Sequence, residues 1–218
     1  MSSLEEIYRF HHREERGRNF AFFPDERAEF FRARLGTGKK ILDVGCRDCA
    51  FTRLFAKGNS VIGIDIDAVS LESCRAAGIE ARQVDLNASE WHFGEGSFDA
   101  VVAGEIIEHV YYPERFFGKF FRLLKPGGIL VGSTPNAFSL KNRIRLLFGT
   151  KRGTPLEDPT HINHFSYKEI RNLLRHAGFQ NCEVLPLIVK GYLKPFAKIA
   201  PGLIGFSLFF VGQKPEKQ

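Results

Sequence analysis

Cysteine is scarce in this chain and long apolar runs are missing, and each absence narrows what the protein can be. Only Cys46, Cys49, Cys74 and Cys182 occur in 218 residues, and no apolar segment opens the sequence. Neither secretion nor a disulfide framework is therefore expected, and a reducing, cytoplasmic setting fits best. The longest nearly uncharged apolar stretch, Ile199 to Val211, falls short of the roughly 20 residues that span a bilayer. Pro201, Gly202 and Gly205 interrupt it, so no transmembrane segment is expected. Internal repeats and low-complexity tracts are absent as well. The positive excess is small: a net charge of +6 and a pI near 9.2 favour anionic partners without establishing nucleic-acid binding.

What is present is a core. With 44% hydrophobic residues, a chain of this length has enough to bury for one domain. The most informative stretch is Ile41 to Thr52, ILDVGCRDCAFT: a buried-strand pattern runs into Asp43 and Gly45, and a helix-compatible stretch follows from Ala50. A tight turn of this kind lets backbone N–H groups and a helix N-terminus reach a nucleotide-like ligand. A second strand, SVIGID, ends in Asp65 about 20 residues further on, the spacing of a ribose-binding acid. The alternative is that Asp65 caps a helix starting near Ala68.

Helices are expected near Ser3 to Arg16 and Asp25 to Leu35. Strands then alternate with helices: Lys40–Val44, Val61–Asp65, Ala81–Val84, Phe98–Ala103 and Gly128–Ser133, with helices near Ala50–Ala56, Val69–Ala77 and Pro113–Leu124. Such alternation builds parallel βαβ units. A helix at Tyr167–His176 and strands near Cys182–Val189 and Phe206–Val211 complete the pattern.

Six segments, ILDVGC, VIGID, VDL at Val84, FDAVVAGEIIEHV at Phe98, LLKPGGILVGSTPN at Leu123 and HINHFSYKEIRNLLRHAGF at His161, occur in the order and spacing that resemble class I S-adenosylmethionine-dependent methyltransferases. The resemblance runs from about Arg27 to Val211, and the order and spacing also resemble the subgroup that includes ubiquinone-biosynthesis O-methyltransferases and many enzymes of surface-glycan or lipid-linked pathways. It implies an α/β fold with a Rossmann-like seven-stranded, mostly parallel sheet, helices on both faces and an antiparallel final strand. Residues 1–36 would form an N-terminal helical cap and 37–213 the methyltransferase domain. It further implies S-adenosylmethionine as cofactor, held by Arg27, Asp43, Gly45, Cys46, Arg47, Asp65, Ile66, Asp85, Leu86 and Gly104, with Asp85 meeting the adenine amino group. Asp85 capping a loop, and Arg27 as a solvated helix cation, are the plain alternatives.

The chain departs from the family where glycine is usual, carrying Arg47 and Cys49 instead. Glycine serves positive φ and close approach, so Arg47 either obstructs the cofactor's methionine end, points away, or pairs with the cofactor carboxylate. Cys46 and Cys49 form a C-x-x-C pair that elsewhere suggests redox or zinc chemistry, but no second pair accompanies it.

At the end of the fourth strand, Glu105, Glu108 and His109 fall at i, i+3 and i+4, on one face if a helical turn begins there. Three roles are open. His109 can accept the proton of an acceptor hydroxyl, with Glu105 beside it, which suits O-methylation. Glu105, Glu108, His109 and a later histidine, best His161, resemble the metal site of small-RNA 3′-terminal 2′-O-methyltransferases and suit Mg²⁺ or another divalent ion. In the third, the carboxylates hydrogen-bond cofactor or backbone while His161 and His164 order the neighbouring connection. After the fifth strand, Asn136 is placed to orient an acceptor.

Asn136 to Pro159 is a long, lid-like connection (136–159) of the kind that is often functional. Lys141, Arg143, Arg145, Lys151 and Arg152 alternate there with Leu140, Ile144, Leu146, Leu147 and Phe148. Either the apolar side packs on the domain, or the segment contacts an anionic substrate or membrane surface. The sequence thus points to a small-molecule, glycan or lipid-linked acceptor, with RNA as the second candidate, peripheral membrane contact open, and a cofactor-binding homologue without turnover as a further reading.

Overall fold

The computed structural model describes residues 3–10, 17, 23–188 and 194–216. Its seven strands form one sheet: β1 Lys40–Val44, β2 Ser60–Asp65, β3 Glu80–Gln83, β4 Phe98–Gly104, β5 Leu124–Pro135, β6 Gln180–Pro186 and β7 Ser207–Gln213. The order is β3-β2-β1-β4-β5-β7-β6. Every pairing up to β5 is parallel, and β7 lies antiparallel to both β5 and β6. The Rossmann-like sheet with an antiparallel final strand is as the sequence led us to expect.

β1 and β2 are central because, past an exposed first residue, all their side chains are buried, which only a strand covered on both faces allows. Alternation then divides the core. Leu42 and Val44 face a cluster with Phe117, Phe120 and Leu174, supplied by α5 (Pro113–Leu123) and α7 (Tyr167–His176). Ile41 faces the opposite cluster with Phe31, Phe55 and Leu71, supplied by α2 (Pro24–Leu35), α3 (Arg53–Ala56) and α4 (Ala68–Ala76). Helix starts follow local chemistry. Pro24 and Pro113 open α2 and α5, and Ser166 with Glu169 closes a capping box on α7.

Strand order reverses between β1 and β4, which leaves a crevice at their carboxyl ends. Some boundaries move. β5 begins at Leu124 and carries an irregularity opposite Phe98 and Ala100. The helix expected from Ala50 is confined to α3, and the first helix, α1, spans Ser3–Phe10. The remainder of the expected first helix, to Arg16, and Val189 of the expected sixth strand lie outside the described residues. The long connection carries α6 (Leu140–Leu147) and a 3₁₀ turn at Pro155–Glu157, and α8 (Lys194–Ile199) precedes β7. No helix among the described residues is long and apolar enough to cross a membrane.

The cysteine expectation is corrected. Cys49 is bonded to Cys74, 25 residues on, while Cys46 and Cys182 are free. The reason is packing: α4 returns over the turn after β1 and brings Cys74 to it, so the C-x-x-C residues do not pair with each other. Closing a 25-residue loop restricts the unfolded chain by ~3 kcal/mol. Dithiothreitol should lower the urea-unfolding free energy by about that amount in the wild type and leave Cys74→Ala unaffected; equal responses would mean the bond is not formed.

Candidate active site

The site is built at the crevice from the ends of β1, β2 and β4. Asp43 is buried in β1, and its Oδ2 accepts the Thr52 hydroxyl at 2.6 Å. Burial pushes its carboxyl up to about 7, against the Thr52 bond and the charge of Arg27, which lower it, and with Asp65, which raises it further. Gly45 follows at φ +77°, and an added Cβ would meet the Ile106 side chain at 2.6 Å. Glycine is required there on both counts.

Asp65 ends β2 and ties the two strand ends together. Its Oδ2 accepts the Arg47 N–H at 2.9 Å and its Oδ1 the Asp67 N–H at 3.0 Å. Asp67, not Asp65, caps α4, taking the Val69 and Ser70 N–H groups. The helix-capping alternative for Asp65 is thereby removed, and its carboxylate lies buried at the crevice. Arg47 and Cys49 hold φ of 50° and 58°. The turn therefore keeps the left-handed geometry that glycine normally supplies. The Arg47 guanidinium donates to Gly17 O and lies 4.0 Å from Asp48 Oδ2. Ile66 follows β2 with its carbonyl bound by Gln83 Nε2, and the buried Cys46 thiol, pushed well up by burial, packs beneath the turn.

Arg27 is buried, which removes the solvated-cation alternative. Its guanidinium stands 4.0 Å above the Phe51 ring and fills the space beside Gly104, where an added Cβ would lie 2.5 Å from Nη2. Desolvation lowers its pKa, opposed by Glu105, Glu108 and Asp43, so one buried cation faces three acids. Glu105 corrects the expected helix face. It adopts φ +57°, and only Ile107–His109 forms a 3₁₀ turn, so Glu105 leaves the face shared by Glu108 and His109. Its Oε1 is buried and accepts no hydrogen bond among the described residues.

Glu108, His109 and His161 come together, with one ligand atom from each lying within 4.8 Å of the others. Their surroundings orient them. Thr134 Oγ1 donates to Glu108 Oε2 at 3.0 Å, His109 Nδ1 lies 2.8 Å from Thr160 O, and His161 Nδ1 lies 2.9 Å from Pro155 O. Each Nδ1 facing a carbonyl must carry the proton, so in the neutral rings each Nε2 offers a lone pair. His109 Nε2 is 4.0 Å from Glu108 Oε1, and His161 Nε2 is 3.6 Å from Asp158 Oδ2. Oxygen and imidazole donors with backbone-fixed tautomers fit a divalent cation. Tyr8 of α1 closes over the cluster, its hydroxyl donating to His109 O at 3.0 Å.

Two other residues take local roles. Asp85 is exposed and its Oδ1 accepts the Asn87 N–H, beside buried Leu86. Asn136 does not face an acceptor: its Nδ2 donates to the carbonyls of Gly202, Ile204 and Gly205, tying the end of β5 to the segment before β7. Thr52 and Thr134 lie in the ILDVGCRDCAFT and STPN segments, but their bonds to Asp43 and Glu108 are not legible there, and Tyr8 carries no motif. The sequence reading also passed over Asp67, whose place before AVS is an N-cap signal.

Residues 11–184 match the family model described as a methyltransferase domain. A "Probable S-adenosylmethionine-dependent methyltransferase" of Mycolicibacterium smegmatis is 33% identical over 147 residues, covering 66% of this chain and 52% of that protein. A ubiquinone biosynthesis O-methyltransferase of Methylococcus capsulatus is 33% identical over 132 residues, covering 57% of this chain and 55% of that protein. The structure of phosphoethanolamine N-methyltransferase 2 of Haemonchus contortus, in complex with S-adenosyl-L-methionine, superposes with a TM-score of 0.69 at 19% identity. It covers 99% of this chain and 60% of that one. The chain belongs to the class I S-adenosylmethionine-dependent methyltransferases. It spans about half the length of the curated relatives it matches.

The residues present fit the family's cofactor. S-adenosylmethionine carries a sulfonium and an ammonium, and the crevice answers with Asp43, Glu105 and Glu108 around the Arg27 guanidinium and with buried Asp65 at the end of β2, on a turn that leaves no room for a Cβ at Gly45. The Asp43 carboxyl gives a pH test. Its ordinary value of 3.8 rises to about 7 in the fold, so between these the native state holds a proton that the unfolded state releases, and stability falls as pH rises. The stability difference between wild type and Asp43→Asn, measured by denaturant unfolding, should shift against the wild type from pH 4 to pH 7 and level off above; a constant difference would disprove the raised pKa.

Proposed function

We propose that the chain transfers a methyl group from S-adenosylmethionine to an oxygen of a small molecule or of a glycan or lipid-linked intermediate. The observation that carries this reading is His109, whose Nδ1 faces Thr160 O, a contact that in the neutral ring puts the proton on Nδ1 and the basic lone pair on Nε2, just after the strand β4 that lines the crevice with Asp43, Gly45 and Asp65. The cofactor, when bound, supplies an electrophilic methyl. Asp65 would accept from the ribose hydroxyls, Ile66 and Leu86 would flank the adenine, and Asp85 would accept from its amino group. Gly45, Cys46 and Gly104 would let the backbone approach, while Arg27, and Arg47 after turning from Gly17, would meet the carboxylate. His109 Nε2 would then take the acceptor's proton, and Glu108, whose Oε1 lies 4.0 Å away, would hold the resulting imidazolium. Residues 1–36 would act as a cap on 37–213, supported by Tyr8 on His109 and by buried Arg27.

A second reading, metal-dependent 2′-O-methylation of RNA, is favoured by one observation: Glu108, His109 and His161 gather their ligand atoms, each with its own orienting partner. Glu108, His109 and His161 would hold a Mg²⁺ or another divalent ion. Such an ion would supply Lewis acidity toward the acceptor hydroxyl, and His109 Nε2 would then be a ligand and not a base.

Two measurements test these readings. By calorimetric titration with S-adenosylhomocysteine, Asp65→Ala should bind about 10- to 100-fold more weakly than wild type, the cost of losing charged hydrogen bonds; equal affinity removes the ribose role. With labelled cofactor and cell extract, label should enter small molecules, persist in EDTA, and fall about 10²- to 10⁴-fold in His109→Ala. Label in RNA that EDTA abolishes selects the second reading, and no label anywhere leaves a cofactor-binding protein without turnover.

A further inference from the structure

Helix α6 is amphipathic, and it faces the wrong way for a helix that packs on its own domain. Its buried residue is Asn142, whose Nδ2 donates to Asn136 O at 2.9 Å. Leu140, Ile144, Leu147 and Phe148, spaced i, i+4, i+7 and i+8 and so sharing one stripe, are 51%, 47%, 82% and 80% exposed. At about 100° per residue the stripe lies roughly opposite Asn142, with Lys141 on one flank and Arg143 on the other. Exposing such a stripe costs hydrophobic free energy that a soluble partner-free helix has no reason to bear. Between Asn136 and Leu156 the chain carries five cations, Lys141, Arg143, Arg145, Lys151 and Arg152, and no acid.

The surface continues beyond the helix. Lys141 Nζ stands 5.5 Å over the ring of Phe206, itself exposed, and Asn136 holds the Gly202–Gly205 backbone that follows exposed Phe196 and Ile199. The same connection brings Thr160 and His161 to His109 at its far end. An apolar stripe flanked by cations, lying along the surface beside the crevice, is the pattern of a helix that rests in the headgroup plane of a bilayer.

We propose that α6, with Phe196, Ile199 and Phe206 beside it, docks this methyltransferase on an anionic lipid bilayer and presents the crevice to an acceptor standing at headgroup level. Only the statement about the acceptor rests on the methyl-transfer reading. The charge complementarity selects the partner: a second copy of this basic chain would set cations against cations, whereas anionic headgroups neutralise them.

Flotation of the full chain with vesicles, without cofactor or acceptor, tests the docking alone. Wild type should partition into mixed phosphatidylcholine/phosphatidylglycerol vesicles and not into phosphatidylcholine. Leu147→Ser/Phe148→Ser should lose at least about tenfold in partitioning, and Lys141→Gln/Arg143→Gln/Lys151→Gln about fivefold per cation at low salt. Both variants alter exposed side chains, so S-adenosylhomocysteine affinity should stay at the wild-type value and certify the fold. Partitioning that ignores the anionic lipid or is unchanged by either variant overturns the proposal, as does a dimer split by Leu147→Ser/Phe148→Ser with no vesicle binding. If docking holds and no methyl transfer is found, the functional reading fails and the surface stands.

Discussion

The site depends on one carboxylate. Asp65 accepts the Arg47 N–H with one oxygen and the Asp67 N–H with the other, so the turn after β1 and the start of α4 are fixed to the end of β2. Asp67, placed by that bond, caps α4. The helix then carries Cys74 back to Cys49 in the same turn. Sheet, turn and helix therefore close a loop of constraints around the crevice, and the disulfide and the hydrogen bonds hold the same geometry. A buried carboxylate that meets two backbone donors orders the turn and the helix start at once.

That geometry is costly in backbone terms. Arg47, Cys49 and Glu105 all sit at positive φ, where an L side chain costs about 1–2 kcal/mol per residue. Each is held by a specific contact: Arg47 by Asp65, Cys49 by Cys74 and its N–H on Cys46 O, Glu105 by its N–H on Ser133 O. Strain gathered at a crevice and balanced by local bonds is the pattern of a functional site. It also explains how the turn tolerates losing two of the family's glycines: the conformation is retained and the cost is met by contacts that glycine would not need.

The sheet was legible because its evidence is local. Ile41, Leu42, Val61 and Ile62 form continuous apolar runs that end in acids, and only a doubly covered strand uses such runs. What was hidden was long-range or contrary to propensity. Nothing near Cys74 indicates that it meets Cys49, since the contact arises from the path of α4. Glu105 read as the first residue of a helical turn because a glutamate at positive φ is not what its propensity suggests, yet that conformation takes it off the face of Glu108 and His109. The spacing of Leu140, Ile144 and Leu147 announced an apolar stripe on α6, but periodicity gives the width of a stripe and not the side it turns to. Asn136 read as substrate-facing because it follows β5 at the crevice end, whereas the carbonyls of the 202–205 segment claim its amide.

The two readings of the chemistry meet at one atom. With Nδ1 of His109 held on Thr160 O, a single lone pair on Nε2 is left, and it cannot accept an acceptor's proton while bound to a metal ion. The surroundings do not treat the choices alike. A base needs a carboxylate near enough to hold the imidazolium, and Glu108 Oε1 at 4.0 Å provides one. A metal ligand needs partners of its own kind in reach, and His161, with its tautomer fixed independently on Pro155 O, provides that. For His161 the base reading assigns no task beyond ordering the connection, so its second fixed tautomer is the feature that reading explains least. For Tyr8, whose hydroxyl binds the His109 carbonyl and so braces the backbone, both readings assign the same task, and the N-terminal helix becomes part of the site under either.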